Sequence, residues 1–255
     1  MNKLPIINFS NLKQQTTSWD SVKSQVLKAL EEYGCFEAIF DEIPLNLRKS
    51  MIDGLKQVFD IPLQNKLRNR SNKPYHGYAG QNPKLPLYES LGIEDALSPG
   101  KIERFTNLMW SEGNPTFSKS VESFCGELSE LDKKVRRMVV ESLGLEKYMD
   151  EHRDSTNYLA RLQKYDGPKS NETELGLNPH TDKNIVSILY GNKVKGLEVL
   201  TKDGKWINAE PSVNSFIVMI GDSLHVSAST LTRAVSQNQP GRWKTRLGCD
   251  FRCPK

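Results

Sequence analysis

Gly176-Leu177-Asn178-Pro179-His180-Thr181-Asp182-Lys183 leads straight into Asn184-Ile185-Val186-Ser187-Ile188-Leu189-Tyr190. The second piece is a short run of β-branched and large apolar residues and reads as a buried strand. The first piece sets an imidazole and a carboxylate two residues apart at the mouth of that strand, where both can converge on one face of a metal ion such as iron. So short a pattern recurs by chance, and its weight comes from its surroundings.

Those surroundings are strand-rich. Tyr158-Leu159-Ala160-Arg161-Leu162, Leu197-Glu198-Val199-Leu200, Lys205-Trp206-Ile207 and Ser215-Phe216-Ile217-Val218-Met219-Ile220 are further short β-type runs, separated by turn signals such as Lys202-Asp203-Gly204. Several short strands at regular spacing predict an antiparallel sandwich or barrel. The preceding half reads as helix after a short strand at Leu4-Pro5-Ile6-Ile7-Asn8-Phe9. Ser21 is placed to cap a helix carrying Val22, Val26, Leu27, Leu30 and Tyr33, closed by Gly34. A second amphipathic helix carries Leu47, Met51, Leu55, Val58 and Phe59, and the longest runs from Val121 to Val139 and closes near Gly144. Residues 73–115, rich in Gly, Pro and Asn, read as loop and short strand.

At 255 residues the chain is long enough for one domain with a full core. The expected division is a helix-rich region over 1–150 and a β core over 151–255. The composition is 37% hydrophobic and 26% charged, and the scattered net charge of +4 argues against a nucleic-acid track. Even the basic run Asn65-Lys66-Leu67-Arg68-Asn69-Arg70 reads as a solvated helix end or loop. No segment approaches the roughly 20 apolar residues of a membrane helix, and the N-terminus lacks a signal pattern, so a cytosolic (cytoplasmic) monomer is expected, with no nucleic-acid or membrane partner. Cys35, Cys125, Cys249 and Cys253 are read as reduced thiols, since the last two lack a second pair or a suitably spaced His.

Lys164-Tyr165, His180-Thr181-Asp182, Gly196-Leu197-Glu198-Val199, Asp203-Gly204-Lys205-Trp206-Ile207 and Ser215 to Asp222 occur in an order that resembles the plant 2-oxoglutarate/Fe(II)-dependent dioxygenases. The N-terminal pieces Leu4 to Phe9 and Ala29 to Phe36 are similar too. Asn72-Lys73-Pro74-Tyr75-His76-Gly77-Tyr78 resembles the branch that includes the glucosinolate-modifying enzymes. The resemblance covers about residues 4–224. It implies a mainly β fold, a double-stranded β-helix or jelly roll with flanking helices. It implies iron held by His180 and Asp182, 2-oxoglutarate held by Tyr165 and Arg246, and ascorbate as an accessory reductant. No catalytic residue beyond the metal ligands is implied. The implied reaction is hydroxylation, desaturation or demethylation of a small organic molecule of plant specialised metabolism, with 2-oxoglutarate converted to succinate.

The chain departs from that pattern beyond Val226. The family's third ligand is a histidine, and counting forward from Leu224 reaches Gln237, while counting back from Arg246 reaches Ser236. A neutral amide or hydroxyl binds Fe(II) far more weakly than imidazole. His225 comes about a dozen residues too early and is read as a strand residue pointing elsewhere. Gly248 stands where the family has a serine two residues after the arginine, and the chain stops after Lys255, where relatives continue through a helical segment. The expectation is a C-terminally truncated core with an altered tail. Two further readings follow: a family member impaired in holding iron, and a metabolite-binding module without redox chemistry.

Overall fold

The computed structural model describes residues 3–154, 156–167, 176–192, 195–212, 214–228, 230–238 and 246–253. Its strands are β1 (Ile6–Asn8), β2 (Cys35–Ile39), β3 (Tyr88–Glu94), β4 (Leu159–Tyr165), β5 (Leu177–His180), β6 (Val186–Gly191), β7 (Leu197–Leu200), β8 (Trp206–Asn208), β9 (Ser215–Ile220), β10 (Val235–Asn238) and β11 (Arg246–Cys253). Its helices are α1 (Thr17–Glu32), α2 (Leu45–Asp60), α3 (Leu63–Lys66), α4 (Lys101–Met109), α5 (Pro115–Ser142), α6 (Met149–Asp154) and α7 (Asp222–Ser227).

Among the described residues the strands form two sheets, ordered β1-β2-β9-β6-β11-β4-β3 and β5-β10-β7-β8. From β4 onward the chain alternates between them: β4, β6, β9 and β11 lie in the larger sheet and β5, β7, β8 and β10 in the smaller. This is the double-stranded β-helix, or jelly roll, and the helices flank it. Every pairing is antiparallel except β1 with β2. The helix-rich first 150 residues also supply β1, β2 and β3 to the two edges of the larger sheet.

The larger sheet is buried on both faces, so its strands alternate between two cores. Val186, Ile188 and Tyr190 of β6 and Phe216, Val218 and Ile220 of β9 pack against the helices. Ile217 and Met219 turn the other way and pack with Leu197, Val199 and Ile207 of the smaller sheet. The helical layer is built on α5, whose buried Val121, Phe124, Leu128, Leu131, Val135, Met138 and Val139 recur at three- and four-residue steps. Each such side chain, fully buried, contributes roughly 1.5–3 kcal/mol. Asn114 caps α5 by accepting from Phe117 N at 3.0 Å, and Pro115 takes the first turn, where its missing N–H does no harm.

Two local expectations are corrected. α1 starts a turn before Ser21, because Thr16 Oγ1 accepts from Trp19 N at 3.2 Å and the buried face begins at Trp19 rather than Val22. Within 73–115 the chain forms β3 and α4, and α4 buries Ile102, Phe105, Thr106 and Met109 at helical spacing. Gly34 does end α1. At φ +68 it lies so close to the segment entering β10 that a Cβ would fall 2.0 Å from Thr232 O.

α1 and α5 are tied by Glu141, which accepts from Trp19 Nε1 and from Arg137 Nε, each at 2.9 Å. Burial pushes the Glu141 carboxyl up, but the hydrogen bonds from Trp19, Arg137 and Lys23 with the charge of Lys23 more than offset it. The carboxyl is held below its ordinary value. A depressed carboxyl stabilises the fold above the unfolded-chain value of about 4.3, and the contribution disappears as pH falls through the lower folded value. Urea unfolding across this acid range should therefore lose stability more steeply in the native chain than in Glu141→Gln. Identical pH slopes for the two would remove Glu141 from the account.

Candidate active site

The inner face of the larger sheet and the smaller sheet enclose a cavity of about 670 Å³. β5 delivers His180 to its wall, and Asp182 follows two residues later. His180 Nε2 and Asp182 Oδ1 lie 3.8 Å apart. His180 Nδ1 is 2.9 Å from the carbonyl of Asn178. A carbonyl only accepts, so Nδ1 carries a proton there and Nε2 is the nitrogen turned toward Asp182. Ser187 Oγ donates to Asp182 Oδ2, which fixes the carboxylate and leaves Oδ1 on the His180 side.

The segment holding Asp182 is braced from behind by Gly221-Asp222. Asp222 N donates to Asp182 O at 2.8 Å, and a Cβ on Gly221 would fall 2.3 Å from Asn184 O and 2.6 Å from Asp182 O. Thr181 Oγ1 donates to Asp222 Oδ2 at 3.1 Å. Burial pushes the Asp222 carboxyl up, and the hydrogen bonds from Lys183 and Thr181 with the nearby Lys183 and Arg233 charges outweigh it, holding Asp222 below the usual aspartate range.

Ser236 is the counted residue that the structure brings beside His180. β10 pairs with β5 so that Ser236 stands opposite His180, and its side chain lines the cavity. Gln237 points to the other face of the smaller sheet and donates to Glu198 Oε2 at 2.7 Å. Of the two positions reached by counting, the register puts Ser236 on the cavity side. His225 is not a strand residue: it lies in α7, outside the cavity lining, with Nδ1 2.6 Å from the carbonyl of Leu231. His76 lines the cavity, with Nδ1 2.8 Å from Glu94 Oε1 in a contact not aligned as a hydrogen bond. His152 lies in α6, and its side chain is outside the described residues.

Tyr165 is buried at the cavity wall on β4, where Asn238 Nδ2 donates to its hydroxyl at 3.1 Å. Arg246 is the register partner of Tyr165 on β11, and its side chain lies outside the described residues, as do those of Gly248 and Cys249. Within residues 73–115 the cavity lining ends at Tyr88, and Trp110 packs on Phe117, at 4.9 Å between ring centroids, in the helical layer.

Arg252 was not foreseen. Its Nη2 lies 3.0 Å from Asp182 Oδ1, on the same oxygen that faces His180. Arg161 on β4 lies in the same cavity. The signal for Arg161 is visible in hindsight: Ala160 and Leu162 face the helical core, so period two forces a charged residue between them onto the opposite, interior face.

Among the described residues no three His, Cys, Asp or Glu side chains come together as a metal-holding group. His180 and Asp182 fit a divalent metal on two positions, an imidazole nitrogen and a braced carboxylate oxygen, and the residue opposite His180 is a serine rather than a third strong ligand. Arg252 competes for Asp182 Oδ1. Arg252→Met is accordingly expected to tighten Co(II) or Mn(II) binding about tenfold, roughly 1.4 kcal/mol, read by calorimetric titration. Unchanged affinity would mean that the guanidinium moves aside without penalty.

Residues 152–247 match the 2OG-Fe(II) oxygenase superfamily, and residues 4–109 match the family described as non-haem dioxygenase in morphine synthesis N-terminal. A protein of Arabidopsis thaliana named probable 2-oxoglutarate-dependent dioxygenase AOP1.2 is 50% identical over 230 residues, 87% of this chain and 70% of that protein. Another, named probable inactive 2-oxoglutarate-dependent dioxygenase AOP2, is 32% identical over 346 aligned residues, 99% of this chain and 85% of that one. The structure of dioxygenase for auxin oxidation 1 from Arabidopsis thaliana with 2-oxoglutarate matches with a TM-score of 0.88 at 24% identity, covering 98% of this chain and 91% of that one. At that identity the structural likeness speaks for the fold. Two matched segments, a half-identical relative and the interleaved sheets agree that the chain belongs to the 2-oxoglutarate/Fe(II)-dependent oxygenase superfamily, whose cofactors are Fe(II) and 2-oxoglutarate.

Proposed function

We propose that this chain uses Fe(II) and 2-oxoglutarate to oxidise a small organic molecule of plant specialised metabolism inside the cavity, by hydroxylation, desaturation or demethylation, with ascorbate as an accessory reductant. The observation that carries the reading is the convergence of His180 Nε2 and Asp182 Oδ1 on the cavity that Tyr165 also lines. His180 and Asp182 are the metal ligands in this reading, and Tyr165 with Arg246 binds the co-substrate. When bound, the metal and 2-oxoglutarate supply the oxidising chemistry, with decarboxylation to succinate. The chain's own residues orient and exclude. The Asn178 carbonyl keeps the proton on His180 Nδ1, the Ser187 hydroxyl holds Asp182, and Leu189, Leu197 and Met219 make that part of the wall apolar.

The chain is read as one domain, with 1–150 wrapping the 151–255 core. A cytosolic monomer without a nucleic-acid partner completes the reading. Among the described residues no helix is long and apolar enough to cross a membrane, and Cys35 and Cys125 are free, buried thiols, burial raising Cys125 to about 12. Ser236 opposite His180 and Arg252 on Asp182 favour one second reading, a family member that holds iron poorly. The experiment is anaerobic Fe(II) titration with and without 2-oxoglutarate, followed by succinate measurement after oxygen is admitted. Stoichiometric iron and steady succinate formation are expected; a folded chain yielding no succinate with excess iron would sink the enzyme reading and leave the impaired one.

A further inference from the structure

Arg161 is 5% exposed, and among the described residues of the cavity lining no carboxylate pairs with it. Its Nη2 donates to Tyr88 Oη at 2.7 Å and to Ser90 Oγ at 2.8 Å, both neutral hydroxyls that orient the guanidinium without neutralising it. Its Nε is buried and has no hydrogen-bond partner. The Tyr75 ring lies 5.6 Å from the guanidinium at the cavity mouth and offsets only part of that charge. A buried cation without a paired anion is disfavoured by its lost hydration, and a buried N–H left unmade adds to that cost. A buried charged group that lines a cavity marks a candidate anion seat.

Among the described residues the cavity wall offers no free anion; Asp250, which stands opposite Arg161 on β11, has its side chain outside the described residues. Among the described lining residues Asp182 is the one carboxylate, and Arg252 already pairs with it. Nor is the anion 2-oxoglutarate held at Tyr165. Arg161 lies four residues along β4 from Tyr165, about 13 Å at the rise of a strand, further than a five-carbon diacid anchored at Tyr165 can span. Arg252 stands opposite Leu159 on β11, which makes it the diagonal neighbour of Arg161 on the same face. A ligand seated on Arg161 therefore extends toward Asp182 and His180.

We propose that Arg161, backed by Arg252, seats the carboxylate of a small organic acid whose carbon skeleton is presented to His180 and Asp182. Arg161 thereby sets the substrate class. The proposal rests on the cavity being the substrate cavity of the oxidation described above.

The test is calorimetric titration of the chain with 4-phenylbutyrate and with its amide, 4-phenylbutyramide, in the presence of excess Mn(II) and 2-oxoglutarate, where no turnover occurs. The acid is expected to bind at least tenfold tighter than the amide. Arg161→Gln should bring the two within twofold while leaving 2-oxoglutarate affinity unchanged within twofold, and Arg161→Lys should keep part of the preference. An acid that binds the native chain no better than its amide overturns the proposal without any variant. So does Arg161→Gln weakening 2-oxoglutarate tenfold, because the arginine then belongs to the co-substrate. Acid preference without succinate formation removes the oxidation reading and keeps the carboxylate seat; succinate formation without acid preference does the reverse.

Discussion

Ser236→His should bind Co(II) or Mn(II) about a hundredfold more tightly than the native chain, a gain of roughly 2.7 kcal/mol. Losing only an outer partner of a metal ligand typically weakens binding 10–100-fold, so an added imidazole belongs at the top of that range. The register makes the position specific, since Ser236 is the residue opposite His180 and its side chain faces the cavity. Gln237→His is the internal control. That side chain lies on the far face of the smaller sheet against Glu198, and histidine there should change metal affinity less than twofold. Arg252→Met combined with Ser236→His should deviate from additivity, because both changes act on one ion shared through Asp182. Equal gains at 236 and 237 would show that the β5–β10 register is not the one described.

β4, β6, β7, β8 and β9 were largely legible because each is a short run rich in apolar or β-branched residues, with turn signals between them, whereas β5, Leu177-Asn178-Pro179-His180, has no such pattern and was not read as a strand. Ser215–Ile220 read as a strand at its exact bounds. β10 was not legible: Val235-Ser236-Gln237-Asn238 is nearly all polar, and its buried place is set by pairing with β5 and β7 rather than by any apolar pattern. The same fact left Ser236 and Gln237 unresolved by counting. Period two separates them at once when a register exists, and no residue in the strand announces which face is the core. His180 and Asp182 were legible as a local pair. Arg252 was not, because its approach to Asp182 depends on the β11–β6 pairing, which sets Arg252 opposite Ser187, the same residue that braces Asp182. Long-range pairing thus decides the parts of the site that local spacing cannot.

The second large effect is expected at Arg136, far from the cavity. Arg136 is 2% exposed on α5, with Nε donating to Asp132 Oδ2 at 2.7 Å, Nη1 to Thr156 Oγ1 at 2.7 Å and Nη2 to Tyr158 Oη at 2.7 Å. Tyr158 Oη donates in turn to Asp132 Oδ2 at 2.8 Å, and its ring stacks on Phe251 of β11 with centroids 4.8 Å apart. The network therefore fastens α5 to the start of β4 and to the strand that carries Arg252. Arg136→Met leaves a buried carboxylate unpaired, which typically destabilises by about 3–5 kcal/mol. The pH dependence separates lost charge pairing from lost packing. Burial already pushes Asp132 above its ordinary value, opposed by the Arg136 charge and by hydrogen bonds from Tyr158 and Arg136. Without Arg136 it rises further, and a carboxyl raised in the fold is tolerated below its unfolded value and destabilises as pH climbs through the folded one. The deficit of Arg136→Met relative to the native chain, measured by urea unfolding, should thus be smallest near pH 4 and grow toward neutrality. Asp132→Asn in the same background should recover part of it at pH 7. A deficit that stays constant across that window would assign the loss to the vacated volume and not to the stranded charge.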